Sequence, residues 1–282
     1  MSANSLPRPL RDKLDRARAR IRSLEGVLVA FSGGVDSTLV LALARDELGP
    51  RAVALTAVSA SLPREEREAA RDLARRLGAE QIEVASDELS IEGYARNPTD
   101  RCYFCKDHLY RLCHREAERR GLVAVIDGVN ADDLSDHRPG LRAAHEQAVC
   151  HPLAEADLGK EEVRRLSAWR GLPTWDKPAS PCLASRFAYG LRITPERLGR
   201  VERAESALRR LGFRDLRVRF EGETARLEIP LDLLPLCTQP ATREAIVADV
   251  KRAGFRRVVL DLEGFRSGSL NEALGADPDR PG

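Results

Sequence analysis

Apolar residues in the first half of the chain recur in short unbroken runs, separated by amphipathic stretches. Residues 26–31, 52–58, 82–85 and 122–127 are such runs. Their length and lack of alternation predict strands buried on both faces. Residues 36–48, 63–77 and 106–120 read as the helices between them. Gly49-Pro50, Gly78 and Gly121 stop these helices, and Pro63 stands where a first-turn proline belongs. Strands spaced by helices of this length predict an α/β fold with a doubly wound parallel sheet.

Between residues 128 and 152 the pattern turns polar. Residues 160–170 predict a further helix, stopped by Gly171 and Pro173. Residues 176–189 have no periodicity and lie among Pro173, Pro178 and Pro181, as expected for a loop crossing between domains. From Thr194 the texture changes. Thr194 is a natural N-cap, Pro195 a first-turn proline and Glu196 an acidic first-turn residue. That helix reaches residue 211 and ends at Gly212. Residues 216–220 and 224–229 predict a hairpin around Glu221-Gly222-Glu223. A helix over 242–253 and a strand over 257–262 complete an α-β-β-α-β order. The expected organisation is a doubly wound domain over residues 1–193, carrying cysteine loops, and a smaller α+β domain over 194–282. Residues 275–282 read as a frayed tail.

Composition narrows the function classes. The chain has 282 residues and is 43% hydrophobic, enough for a substantial core. Its 46 basic residues face 44 acidic ones, a net charge of +2. That balance lacks the general electrostatic footprint of a nucleic-acid binder. No apolar run approaches a membrane span, and the polar, Arg-rich N-terminus lacks a secretory h-region. Six cysteines are too sparse for a disulfide scaffold. A reducing cytoplasm is expected, where clustered cysteines read as metal ligands or reactive thiols.

The strongest local signal is Ser32-Gly33-Gly34-Val35-Asp36-Ser37, directly between the first strand and the first helix of the alternating series. Two glycines let the backbone approach an anion, and the helix N-terminus offers free N–H groups and a favourable dipole. The hydroxyls of Ser32 and Ser37 add donors. There is no Lys-Ser/Thr pair, so γ-phosphate transfer is not the natural reading. Asp36 suits Mg²⁺ held on a pyrophosphate. The bland alternative is a tight turn that needs glycine for its dihedrals. This hexapeptide resembles the PP-loop of the ATP pyrophosphatase superfamily, which has a Rossmann-like sheet. Such enzymes cleave ATP between the α and β phosphates and form an adenylated intermediate. The resemblance implies that adenine lies against the second strand, here Thr56, Ala57 and Val58.

Cys102 and Cys105 form a C-x-x-C within Asn97–Lys106, and Cys182 opens Cys-Leu-Ala-Ser-Arg at 182–186. With Asp127-Gly-Val-Asn-Ala-Asp-Asp133 and the tail phrase 264–271, these phrases resemble the LarE group over nearly the whole chain. The resemblance implies an ATP-dependent sulfur transferase for nickel-pincer nucleotide assembly. It would adenylate a carboxylate of a pyridinium dicarboxylate mononucleotide and replace the activated oxygen with sulfur. It also implies a homo-oligomer. Sulfur delivery takes two forms in that group. In one, Cys182 gives up its own sulfur. In the other, Cys102, Cys105 and Cys182 hold a 4Fe–4S cluster with one iron open to hydrosulfide, the version that three cysteines favour. A zinc site completed by His108, Cys113 or His114, and a redox C-x-x-C, remain alternatives. Cys113, Cys150 and Cys237 read as packing residues.

An anionic nucleotide substrate needs cations. Arg186 follows the cysteine loop, beside Ser185, and is a candidate catalytic or substrate-binding residue with Cys182 and Asp36. Arg217 and Arg219 are two apart on a predicted strand and share one face. The alternative for these arginines is a solvated face. Glu205 and Glu228 are candidates for second-domain functions, but by sequence alone they read as surface carboxylates. Gly128, Asn130 and Asp133 stand beyond the fourth strand, at the sheet end where α/β folds bind ligands. Asp133 is a candidate second Mg²⁺ ligand, with loop capping as its rival. A tRNA-thiolating or ammonia-using PP-loop enzyme, and a non-catalytic nucleotide-binding module with structural zinc, complete the alternatives.

Overall fold

The computed structural model describes residues 6–134 and 139–266. The 267–271 part of the tail phrase and the 275–282 tail lie outside them. The chain divides into two compact units. The first comprises residues up to Tyr94 together with Asp100–Ser180, the second Ala95–Thr99 together with residues from Pro181 on. The division thus falls ahead of the 193/194 boundary expected from the sequence.

Unit one is an α/β layer structure. Strands β1 (Val27–Ala30), β2 (Ala52–Val58), β3 (Glu80–Ala85) and β4 (Ala124–Ile126) form a parallel sheet in the order β3-β2-β1-β4. Period-2 alternation distributes β1 between two cores. Val27 and Val29 join the cluster that includes helices α1 (Arg8–Arg22) and α2 (Val35–Leu48). Leu28 and Ala30 join the cluster that includes α4 (Arg101–Arg119) and α5 (Pro139–Glu146). Helix α3 (Arg64–Arg76) follows β2, and α6 (Lys160–Trp169) packs its Val163 and Leu166 into the first cluster. With β1 wholly buried, its apolar run carried no face signal of its own.

The Arg-rich N-terminus folds as α1, which buries Leu10, Leu14, Ala17 and Ile21, one stripe at helical spacing. Helix α4 starts at Arg101 rather than at residue 106. Its apolar register is set by Tyr110, Leu112, Cys113 and Ala117, and its first turn, Arg101-Cys-Tyr-Phe-Cys105, repeats none of that pattern. The C-x-x-C is therefore on a helix, not in a loop. Its two thiols lie three residues apart, on one face.

Unit two has helix α7 (Pro195–Arg210), strands β5 (Arg217–Glu221), β6 (Thr224–Glu228) and β7 (Arg257–Leu260), and helix α8 (Pro240–Arg252). Its sheet runs β5-β6-β7, with β5/β6 antiparallel and β6/β7 parallel. The expected α-β-β-α-β order is present. Thr194 caps α7 by accepting a bond from the Arg197 N–H. The segment Ala95–Thr99 belongs here through Asn97. This fully buried residue has φ +56°, donates Nδ2 to the Ala188 carbonyl at 2.7 Å and accepts the Gly190 N–H at 2.8 Å. Asparagine tolerates that left-handed backbone better than most residues.

Candidate active site

The residues singled out by the sequence are divided between the two units. In unit one the glycine loop leaves β1 and enters α2. Ser32 and Ser37 hold it closed, with Oγ atoms 3.1 Å apart and the Ser37 hydroxyl directed to the Gly34 carbonyl at 3.3 Å. Gly33 has φ +70°, and a Cβ there would meet Ala70 of α3 at 3.1 Å. Val35 and Asp36 open α2 with their backbone N–H groups at its first turn, where an anion is favoured.

Asp36 is the centre of the polar contacts. Its Oδ1 accepts Asn130 Nδ2 at 3.2 Å, and its Oδ2 receives Lys160 Nζ at 2.5 Å. Asn130 also donates its backbone N–H to Asp133 Oδ2 at 3.1 Å. Its own Oδ1 accepts the N–H groups of Asp132 and Asp133, so it caps the turn that carries both acids. Gly128 is needed for space: a Cβ there would stand 2.6 Å from the Ser37 backbone nitrogen. Thr56 is spent inside the sheet, donating to the Phe31 carbonyl at 2.8 Å and accepting Gln81. Ala57 and Val58 are partly exposed beyond it.

Two lysines that no sequence pattern singles out stand at this loop. Lys160 heads α6, with its backbone N–H held by Asp132 Oδ2 at 2.7 Å. Lys177 donates to the Gly33 carbonyl at 3.1 Å and to Glu66 at 2.7 Å. A single lysine in a charged chain carries no signal of its own, and both are brought here by chain crossings. Both thus stand beside the glycine loop although they are more than 120 residues from it in sequence.

Behind the loop, Asp127 is buried at the end of β4. It accepts the Tyr110 hydroxyl at 2.6 Å, His151 Nδ1 at 2.7 Å and the Val129 N–H at 3.0 Å. Burial alone would raise its carboxyl, but His151 and the other partners hold it below the usual range.

Cys102 is exposed and Cys105 partly exposed on α4. Cys105 Sγ donates to Glu88 at 3.2 Å. Cys113 and Cys237 are buried in packing positions, as expected, and burial pushes the Cys113 thiol up to about 12. Cys150 is only half-buried, and Arg20 donates to its sulfur at 3.3 Å.

In unit two, Cys182 is partly exposed and opens the short turn Leu183–Arg186. Arg186 is fully buried. It donates Nε and Nη2 to Glu205 at 2.8 and 3.0 Å, and Nη1 to the Pro181 and Cys182 carbonyls and the Ser185 hydroxyl. Arg219 makes a second bidentate pair with Glu228, both bonds 2.8 Å, and its Nη1 donates to the Ser185 carbonyl at 2.6 Å. Glu205 and Glu228, expected on the surface, are 0% and 1% exposed. They are buried because each answers a buried guanidinium, which a helix or strand period cannot reveal. Burial would raise Glu205, but Arg186 and the Val218 N–H hold it below its ordinary value. Arg217 is half-buried over the Phe265 ring, 4.8 Å from its centroid. Burial, then the neighbouring Arg186, pulls its guanidinium down to about 10. A cation so disfavoured gains from an incoming anion.

A glycine loop at the carboxyl end of a central parallel strand, followed at once by an acid in the first turn of a helix, is the arrangement of the PP-loop class of ATP pyrophosphatases. Comparison with known proteins agrees. The sequence model of the asparagine synthase family matches residues 9–218. One component of the glutamine-hydrolyzing GMP synthase of Methanoculleus marisnigri is 25% identical over 68% of each chain. The pyridinium-3,5-bisthiocarboxylic acid mononucleotide synthase of Lactiplantibacillus plantarum is 40% identical over 91% of this chain and 92% of its own. An uncharacterized protein of Synechocystis is 48% identical over 94% of this chain and 99% of its own. The chain belongs to the LarE family of PP-loop proteins and is an ATP-dependent sulfurtransferase. Among the described residues, no helix is long and apolar enough to cross a membrane.

Proposed function

We propose that this chain activates a carboxylate of pyridinium-3,5-dicarboxylate mononucleotide with ATP and converts it to a thiocarboxylate, a step in building the nickel-pincer nucleotide. What carries the reading is the match over nine-tenths of both chains to a synthase whose product is the bisthiocarboxylic acid mononucleotide.

The chemistry proceeds in two displacements. A substrate carboxylate oxygen attacks the α-phosphorus of ATP, and the bond to the β-phosphate oxygen breaks. Pyrophosphate leaves against the α2 N–H groups, the Ser32 and Ser37 hydroxyls and Lys160. A sulfur nucleophile then attacks the acyl-adenylate carbon and AMP leaves, so oxygen departs with AMP and sulfur stays on carbon. Arg217 would bind the substrate's phosphate or carboxylates, whereas Arg219 is committed to Glu228 and the Ser185 carbonyl. Arg186, locked by Glu205, would hold the Cys182 turn in place.

Asp36 and Asp133 each bond Asn130, and they are the carboxylates that would hold Mg²⁺, with Asp36 Oδ2 exchanging Lys160 for the ion. Bound there, the ion would neutralise phosphate charge. For sulfur we assign Cys102, Cys105 and Cys182, three thiols suited to a 4Fe–4S cluster that would carry an extra sulfide. Among the described residues, however, no group of three or more His, Cys, Asp or Glu side chains could hold a metal ion. The pair and Cys182 also belong to different units. The donor set is not assembled within either one, and neither displacement depends on a cluster. The other source is Cys182 itself, left as dehydroalanine.

The decisive measurement incubates the protein with ATP, Mg²⁺ and the mononucleotide, and follows pyrophosphate, AMP and product mass. Substrate-stimulated pyrophosphate release with an oxygen-to-sulfur mass change is expected. No stimulation by substrate would sink the adenylation reading.

A further inference from the structure

Glu88 opens a short turn after β3 and is 4% exposed. Its carboxylate is divided between two parts of unit one. Oε1 accepts the hydroxyls of Ser59 at 2.7 Å and Ser61 at 2.5 Å. Oε2 accepts the Cys105 thiol at 3.2 Å, a normal length for sulfur. Ser59 follows directly on β2, whose Thr56 is bonded to the Phe31 carbonyl, one residue before the glycine loop. One buried acid therefore touches both the carboxyl end of β2, the strand paired with the one that leads into the glycine loop, and a thiol of the C-x-x-C helix. The two hydroxyls also meet each other at 2.9 Å, so Ser59, Ser61 and Glu88 form one closed polar cluster at the end of β2. A buried carboxylate with three donors is held rigidly. Losing any one donor leaves an acceptor in a dry place, which is costly.

We propose that Glu88 is a positioning residue that sets the Cys105 sulfur against the end of β2, so that the state of this thiol and occupancy of the nucleotide site depend on each other. The inference rests on the ATP-dependent reading above, but not on any particular sulfur source. A thiol that has been alkylated or ligated no longer donates to Oε2. The carboxylate must then rearrange, and Ser59 and Ser61 move with it. Linkage is reciprocal: if thiol modification changes nucleotide affinity, nucleotide must change thiol modification by the same factor.

The test uses the full-length, reduced, metal-free protein. Iodoacetamide labelling is followed by peptide mass, with and without Mg²⁺–ATP, and ATP binding is measured by calorimetry on the same samples. Cys102, exposed on the same helix, is the internal comparator. In the wild type, ATP is expected to slow alkylation of Cys105 by about fivefold or more relative to Cys102. Protein alkylated at Cys105 in a Cys102→Ser background should bind ATP more weakly by the same factor. Glu88→Ala should bring the Cys105 rate up to that of Cys102 and remove the ATP effect. Ser61→Ala, which spares the carboxylate–thiol bond, should keep the slow basal rate and lose most of the ATP effect. This variant decides the matter if Glu88→Ala fails to fold. Full ATP protection in Ser61→Ala, or equal Cys105 rates with and without bound ATP in the wild type, overturns the proposal. Failure of ATP to bind overturns this proposal and the adenylation reading together. Coupling without any thiocarboxylate product supports Glu88 while sinking the thiolation reading.

Discussion

Lys160 shows how far in sequence a side chain can lie from the glycine loop and still meet it. It sits 124 residues after Asp36 and meets its carboxylate at 2.5 Å. On the adenylation mechanism proposed above, it would face the departing pyrophosphate. Replacing Lys160 with Met should lower kcat/KM for ATP by about 10²–10³-fold, as loss of one preorganised charge donor does elsewhere. Pyrophosphate-release kinetics check this, and an unchanged kcat/KM would remove Lys160 from the site. Glu205 tests the other unit. With Arg186 fully buried, Glu205→Gln leaves a desolvated guanidinium without its counter-charge. Breaking such a pair is expected to cost about 3–5 kcal/mol. Urea denaturation measures it, and faster alkylation of Cys182 should accompany it, because the same arginine holds the Cys182 carbonyl.

Among the elements, α3 and β3 are joined by charge as well as by packing. Glu83 on β3 receives Arg67 at 2.6 Å and Arg71 at 2.5 Å, both from α3. Hydrogen bonds from Arg67 and then Arg71 pull the Glu83 carboxyl down to about 2. Its unfolded value is about 4.3. The folded value is the lower one, so its contribution to stability is present above about pH 4.3 and is lost as pH falls toward 2. Both arginines are partly solvated, so the contribution is modest. Glu83→Gln should therefore flatten the acid limb of a denaturation-midpoint profile in that window and leave its slope near neutrality unchanged. An unaltered acid limb would show that the pairing contributes nothing measurable. The elements around the loop were legible for a simpler reason. Their apolar runs and glycine stops depend only on local periodicity, whereas the first turn of α4 depends on contacts its sequence does not display.

For the molecule as a whole, the cysteines pose the sharpest question, because Cys102 and Cys105 belong to one unit and Cys182 to the other. If the three share one cluster, anaerobic purification should yield iron and sulfide. Each of Cys102→Ala, Cys105→Ala and Cys182→Ala should then lose them. If instead Cys182 gives up its own sulfur, intact mass after one turnover falls by about 34 Da, the mass of H₂S. The Cys102→Ala and Cys105→Ala variants would then still complete that turnover. Iron and sulfide lost in all three variants would support the cluster, and iron-free protein with a single-turnover mass loss would support Cys182 as the sulfur source.

Sequence by itself determined the alternating α/β order, the place of the glycine loop between strand and helix, the α-β-β-α-β order of the second part and the C-x-x-C spacing. Each is written in neighbouring residues: a run of apolar side chains, a pair of glycines, a thiol three positions from another. Only the tertiary structure decided what charge does here. It turned Glu205 and Glu228 from expected surface acids into buried partners of Arg186 and Arg219. It brought Lys160 and Lys177 to the loop, and gave Glu88 both a thiol and two serines. The physical reason is range. Periodicity reports how one segment meets solvent or core, but a charged side chain is buried only where a distant segment supplies its counter-charge. That pairing is settled by chain crossings, which no local pattern encodes.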